Sequence, residues 1–472
     1  MIKNAREYQI TKAQAAKFGR ALATLSDDYP DRDIAELERD AMRSQLADLR
    51  AELEEYEALE SGRLKVVEVE DLSDLPRVLI QARIAAGLSQ RELAERLGLK
   101  EQQVQRYEAT EYASASLSRI LEVVRALGVK LRQDIVLPSA DMSLEALLKQ
   151  LRSVGFDKEF IQSKLVDVAA DVQQSAWKTA NVIGRVFGIP PAELFTGKFS
   201  SSVRHQASAQ AMFKLPANAN EPKLHAYAAY AHYLATRTLA MTDAVPLGDL
   251  PSHPSSVHAT LVNQYGDVSF ESALRYVWQL GIPVLPLRDS GAFHGAFWRV
   301  SGRPIVVLKQ RVRSSARWLI DLLHEYYHAV QTSGLMEAQI IELSDSPYER
   351  LNSPAEREAT QWATAVALGG REQELVDMCV AEARRDVPRL KRAVRNVAVR
   401  EGVSVDVLAN YMAYRLTLFN EAEWWGAASN LQDNNDDPWV VARDVFLENV
   451  ELHRLDRMDR ELFARALSEL GD

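Results

Sequence analysis

The 472-residue chain has one cysteine, Cys379, and that scarcity excludes any intrachain disulfide. A reducing compartment is the simple expectation, and Cys379 itself reads as a small buried hydrophobe inside a helix. No stretch approaches the roughly 18 apolar residues that a membrane span needs. The opening Met1-Ile2-Lys3-Asn4-Ala5-Arg6-Glu7 also lacks the apolar core of a signal peptide. A cytoplasmic protein with no membrane partner is therefore expected. Positive charge is scarce too: 56 Lys and Arg against 66 Asp and Glu leave a net −10, which argues against a general polyanion binder. The deficit is uneven. From Arg77 to Arg132 ten basic residues stand against six acidic ones, whereas Asp31 to Glu60 holds eleven acids and four arginines.

What is present is the composition of a globular protein, 47% apolar and 26% charged, on a chain too long for one ordinary core. Two amphipathic segments open it. Thr11 to Leu25 reads as a helix capped by Thr11, with Ala15, Phe18, Leu22 and Leu25 on one face. Asp31 to Leu59 reads as a longer one whose Met42, Leu46, Leu49, Leu53 and Tyr56 form a short heptad seam. An intrachain hairpin and a dimerising coiled coil both fit that seam. Leu64 to Val69 reads as one strand or an extended linker.

Five helices fit Pro76 to about Leu131. The first stops at Gly87, Ser89 caps a short second one with Leu93, Ala94 and Leu97 inward, and Gly98 supplies the tight turn before the third. That third helix, about Lys100 to Glu108, turns Gln102, Gln103, Gln105 and Arg106 outward around a core-facing Val104. Glutamine can bond adenine bidentately and arginine guanine, so this face has the side chains of major-groove readout. Gln90 at the start of the second helix is placed to touch a phosphate. The segment resembles the XRE family of Cro-like repressors. That resemblance implies Gln90, Lys100, Gln102, Gln103 and Arg106 as contacts to an operator in double-stranded DNA, and a homodimer on a two-fold site.

A second motif lies more than two hundred residues downstream. His324-Glu325-Tyr326-Tyr327-His328 sets two imidazoles one helical turn apart, so both can face one cation, with a carboxylate beside the first. That is the ligand spacing of a zinc hydrolase, and catalytic zinc wants three protein ligands and an open position. No third histidine follows at the metzincin distance. A carboxylate on the helix that Ser353-Pro354 begins is the expected completion, where Glu356 and Glu358 point about 200° apart so that only one can face the metal. Upstream, Ile282 to Leu287 reads as a strand and Phe293 to Val300 with Pro304 to Leu308 as a hairpin around Ser301-Gly302. Everything after Arg313 is expected to be helical apart from a loop over 430–437.

From about His225 to Leu470 the chain resembles the ImmA/IrrE family of bacterial metallopeptidases, in which a strand hairpin precedes the His-Glu-x-x-His helix. The resemblance implies a Zn2+ cofactor on His324, His328 and Glu358, the last by aligning Glu358-Ala359-Thr360-Gln361-Trp362-Ala363 with a Glu-Ala-Asn-x-Phe-Ala-like segment, and it makes Glu325 the catalytic base. Thr360 replaces the usual Asn and Trp362 the usual Phe, and Tyr326-Tyr327 stand where the family has Leu-Gly. A tyrosine in place of that Gly implies an altered fit around the zinc helix. Tyr326, Tyr348, His294 and Tyr411 are each candidates for an oxyanion partner.

These readings add up to a mainly α protein. Its expected parts are an acidic helical hairpin (1–62), a five-helix DNA-binding domain (70–136), a helical connector (139–215), an α+β zincin-like domain with a small β-sheet (216–395) and a helical C-terminal part (396–472). The expected function is a bacterial or phage-derived transcriptional regulator whose zinc peptidase-like domain cleaves or binds a partner regulatory protein. The alternative is an antitoxin-like repressor, resembling HigA-like antitoxins, that neutralises a toxin and uses the zinc fold as a binding platform.

Overall fold

The acidic N-terminal helices and the helices after Leu75 share one buried core. In the computed structural model the chain divides into two units, Met1–Val136 and Leu137–Asp472. The described residues are 1–24, 32–62, 74–130, 143–153, 158–166, 172–195, 221–242, 245–288, 293–310, 312–342, 353–419, 422–432 and 437–468. Mainly helical architecture with a small sheet is as expected.

In the first unit, helices α1 (Ala5–Thr24) and α2 (Arg32–Glu60) pack on each other as an intrachain pair. α1 starts earlier than the apolar pattern predicts, because Asn4 Oδ1 accepts the Glu7 N–H at 3.0 Å while Glu7 Oε2 accepts the Lys3 N–H at 2.8 Å. This reciprocal cap satisfies the first orphan donors, and Thr11, the expected cap, is a buried residue inside the helix. Tyr8 stacks on Tyr56 at 5.1 Å between ring centroids. Ile2, Tyr56 and Leu59 then join Leu75, Leu79, Ile80, Leu93, Val104 and Val123 in one core.

Four helices follow: α3 (Leu75–Ala85), α4 (Gln90–Leu97), α5 (Glu101–Ala109) and α6 (Leu117–Leu127). Residues 74–130 are described throughout and hold these four helices, not the five expected before about residue 131, because residues 110–116 form turns between α5 and α6; the expected strand at 64–69 lies outside the described residues.

The second unit begins with α7 (Leu144–Ser153), α8 (Lys158–Phe160) continued by a π turn at Ile161–Leu165, α9 (Val172–Phe187) and α10 (Pro191–Phe195). Next come α11 (Glu221–Met241), α12 (Pro254–Tyr265), α13 (Phe270–Gln279) and a strand–hairpin segment, β1 (Val284–Pro286), β2 (Gly295–Val300) and β3 (Arg303–Leu308). The motif helix α14 (Ser315–Gln331) is followed by β4 (Ala338–Glu342), then α15 (Pro354–Leu368), α16 (Glu372–Glu382), α17 (Val387–Glu401), α18 (Val405–Leu418), α19 (Trp425–Ser429), α20 (Pro438–Asn449) and α21 (Arg457–Ala466). One continuous buried cluster runs from Leu147 to Leu467.

The sheet order is β1-β3-β2-β4, with β1 parallel to β3 and the other pairs antiparallel. β4 corrects the expectation that the chain is helical after Arg313. Its Ala-Gln-Ile-Ile-Glu is too short to show a period, and it becomes a strand because β2 offers it a free edge. Ser301 and Gly302 turn the hairpin at φ 50° and 81°, where glycine carries no Cβ penalty.

Successive strand residues face opposite sides, and β2 uses both. Trp298 meets His232 of α11 at 5.5 Å between centroids, while the buried Arg299 donates Nη2 to the Ala329 carbonyl of α14 and Nη1 to Gly302 O, both at 2.7 Å. The guanidinium thereby ties the C-terminal turn of α14, one residue beyond His328, to the hairpin.

Candidate metal centre and candidate nucleic-acid interface

α14 is phased by Ser314, whose Oγ accepts the Arg317 N–H. Trp318, Leu319, Leu322, Leu323, Tyr326 and Ala329 are buried around it, which buries the motif residues as well: His324 and Glu325 are 0% exposed and His328 4%. His324 Nε2 and His328 Nε2 lie 3.1 Å apart. Glu356, in the first turn of α15, brings Oε2 to 3.0 Å from His324 Nε2 and 3.8 Å from His328 Nε2.

Four ligands about 2.05 Å from a tetrahedral zinc are about 3.3 Å from one another, and the three separations here bracket that edge. The donor set, two imidazole nitrogens and one carboxylate, is also that of catalytic zinc, so these residues fit the ion. Burial by itself would raise the Glu356 pKa, but hydrogen bonds and charge from His324 and His328 outweigh it and hold the carboxylate far below its usual range.

The carboxylate beside the two histidines is thus that of Glu356 and not, as expected, that of Glu358. Ser353-Pro354 begins α15 in a phase that buries Ala359, Ala363 and Val366 and sets Glu356 and Thr360 along α14. Glu358 is exposed on the far side. It meets the Tyr327 hydroxyl, whose pKa burial and then Glu358 push up to about 12. The aromatic residues beside the motif meet here: Trp362 packs on Tyr327 at 5.7 Å and Tyr326 at 5.4 Å, and its Nε1 donates to Ser252 O. Tyr326 and Tyr327 thus share an aromatic cluster with Trp362, and the Tyr327 ring also lies 6.3 Å from the His328 ring.

Thr360, which no motif singles out, sets its hydroxyl beside His324. Its hydroxyl donates to Glu356 O at 2.9 Å and so offers a lone pair to His324 Nδ1 at 3.4 Å. A proton held on Nδ1 leaves the Nε2 lone pair for a cation. Of the proposed oxyanion partners, Tyr326 spends its hydroxyl on Pro251 O, Tyr348 lies outside the described residues, and His294 is not in the His324–His328–Glu356 group. Tyr411 lines a solvent-open cleft alongside α14 and α15.

In the first unit the interface is built on a turn. Ser89 caps α4 in a reciprocal box with Glu92, and Gly98 closes the helix at φ 66° before α5. Lys100, Gln102, Gln105 and Arg106 are exposed and Gln103 half-buried, all on α5 or its cap, while Val104 is 1% exposed. Residues 79–133 match the helix-turn-helix family. The match is of the XRE type, and this part of the chain is a DNA-binding regulator's module. No curated protein and no solved structure matches the chain. Among the described residues, no helix is long and apolar enough to cross a membrane.

Two of the helix-turn-helix residues carry internal duties that the sequence reading did not foresee. Gln103 Oε1 accepts the Lys100 N–H at 3.2 Å, and Gln90 Nε2 donates to Glu108 Oε2 at 2.7 Å. Each keeps amide hydrogens for a nucleic-acid partner. Glu108 is 0% exposed and receives Arg83 through Nε at 2.6 Å and Nη2 at 2.8 Å. Arg83 also donates to Leu88 O and Lys3 O. This network joins α3, α4 and α5. Its signal was legible: Arg83 sits in the buried stripe with Leu79, Ile80 and Ile84, where a charge needs a partner.

Proposed function

We infer that this protein is a transcriptional regulator of the XRE type whose second unit is an ImmA/IrrE-like zinc peptidase acting on a partner regulatory protein. The observation that carries the peptidase reading is the convergence of the buried His324 and His328 with the half-buried Glu356 on a span suited to one zinc ion. When bound, zinc would supply Lewis acidity and a water of lowered pKa. The chain's own parts are distinct. The imidazoles present Nε2, Thr360 holds the His324 tautomer, and Glu325 takes a proton from water and returns it to the leaving amine. The α5 face reads an operator, and a homodimer would match a two-fold site.

Zinc content after dialysis tests the ligand set. Near one equivalent is expected for the wild type and Glu358→Gln, with loss in Glu356→Gln and His324→Ala. Retention of zinc by Glu356→Gln would refute the assignment. Cleavage of proteins encoded by neighbouring genes, present in wild type and absent in Glu325→Gln, tests hydrolysis. The complete burial of Glu325 favours one second reading, a non-proteolytic platform that neutralises a toxin. A partner that binds both wild type and Glu325→Gln and stays intact would support it.

A further inference from the structure

The face of α14 that bears the two histidines continues upstream as Asp321 and Arg317, since residues 317, 321, 324 and 328 follow helical spacing. On α15 the same holds for Glu356, Thr360 and Thr364. Thr360, which touches His324, also lines the solvent-open cleft, together with Arg317, Asp321, Arg357 and Thr364. The metal cluster and the cleft are thus successive stations of one groove between α14 and α15.

The far wall comes from α18 and α19 and is aromatic: Tyr411, Tyr414 and Trp425, the first two stacked at 6.2 Å. The polar groups on the floor are already paired. Gln310 Nε2 donates to Asp321 Oδ2 at 2.5 Å, and Asn410 exchanges hydrogen bonds with Gln432. The two arginines differ. Arg317 rests 5.9 Å from the Trp425 ring centroid, Arg357 is exposed, and among the described residues neither forms an ion pair.

An aromatic wall with two guanidinium groups that have no carboxylate partner among the described residues suits a chain that carries carboxylates beside apolar side chains. We propose that this cleft binds an extended acidic peptide segment of the partner protein, with Arg317 and Arg357 pairing its carboxylates and Tyr411, Tyr414 and Trp425 packing its apolar side chains. Arg317 stands seven positions before His324, about 10 Å along the helix axis, which is the span of roughly three extended residues. This deepens the peptidase reading and rests on it for one detail: the acidic residue lies about three positions from the bond that is cut.

The test uses full-length protein and two fluorescein-labelled peptides, Gly-Glu-Phe-Ala-Glu-Gly amide and its counterpart with both Glu replaced by Lys, read by anisotropy in low salt. The acidic peptide is expected to bind at least tenfold more tightly. That preference should vanish in Arg317→Gln/Arg357→Gln and return in part in the double Lys variant, with unchanged thermal unfolding showing that the fold persists. Equal affinity for both peptides, no binding of either, or a preference that survives the double Gln variant would overturn the proposal. Acidic-peptide binding by a wild type that takes up no zinc would overturn the zinc reading alone.

Discussion

Removing the Glu108 carboxylate should unfold the DNA-reading unit more effectively than any change on its surface. Glu108 is 0% exposed and accepts three hydrogen bonds, two from Arg83 and one from Gln90. In Glu108→Ala the Arg83 guanidinium, 3% exposed, keeps only the carbonyls of Leu88 and Lys3. An uncompensated buried charge of this kind costs about 3–5 kcal/mol, a large share of the 5–15 kcal/mol that holds a typical domain.

At roughly 3 °C per kcal/mol for a unit of this size, its melting transition should fall by about 10 °C. Hydrogen-exchange mass spectrometry on the full chain locates the effect: α3, α4 and α5 should lose protection while α14 keeps it. The double variant Arg83→Met/Glu108→Leu replaces the pair by apolar groups of similar size and should recover most of the loss. A single variant within about 1 kcal/mol of wild type, or a double variant no better than the single, would refute the view that an unpaired charge is what costs.

Three further outcomes follow from the same geometry. Thr360→Val should weaken zinc binding about 10–100-fold in chelator competition while Thr360→Ser retains it, as expected for a hydroxyl that orients a ligand; equal affinity in all three would remove Thr360 from that role. On an operator selected from random duplexes, Arg106→Ala should lose about 1–3 kcal/mol and relax one base preference, whereas Lys100→Ala should lower the salt slope by about one with little change in preference. Cys379 is 0% exposed and burial pushes its thiol from 9.0 up to about 12. An acid whose folded pKa is raised contributes stability below its unfolded pKa and loses it as pH rises through the folded one. Stability should therefore fall between about pH 9 and 12, less steeply in Cys379→Ala, and native Cys379 should resist thiol reagents at pH 8 until denaturant is added.

Local patterns carried much of this protein. Ser89 and Gly98 mark the ends of α4 whatever surrounds them, because a cap and a left-handed turn are satisfied within a few residues. His324 and His328 share a face in any helix, so the zinc spacing was readable before a fold existed. β4 was invisible for the opposite reason: its hydrogen bonds belong to β2, about forty residues upstream. The role of Asn4 was missed because a polar pair, and not an apolar repeat, begins α1.

The sequence by itself determined which residue types could face a cation or DNA and reduced the acid beside the two histidines to Glu356 or Glu358, since spacing along a helix fixes relative angle. Only the tertiary structure decided between them. Absolute rotation of α15 depends on which of its faces is buried, and the packing of Ala359 and Ala363 turns Glu356 toward the histidines and leaves Glu358 beside Tyr327. The same long-range packing made partners of Arg83 and Glu108, and drew α18 alongside α14 and α15 to enclose a cleft that no local pattern announces.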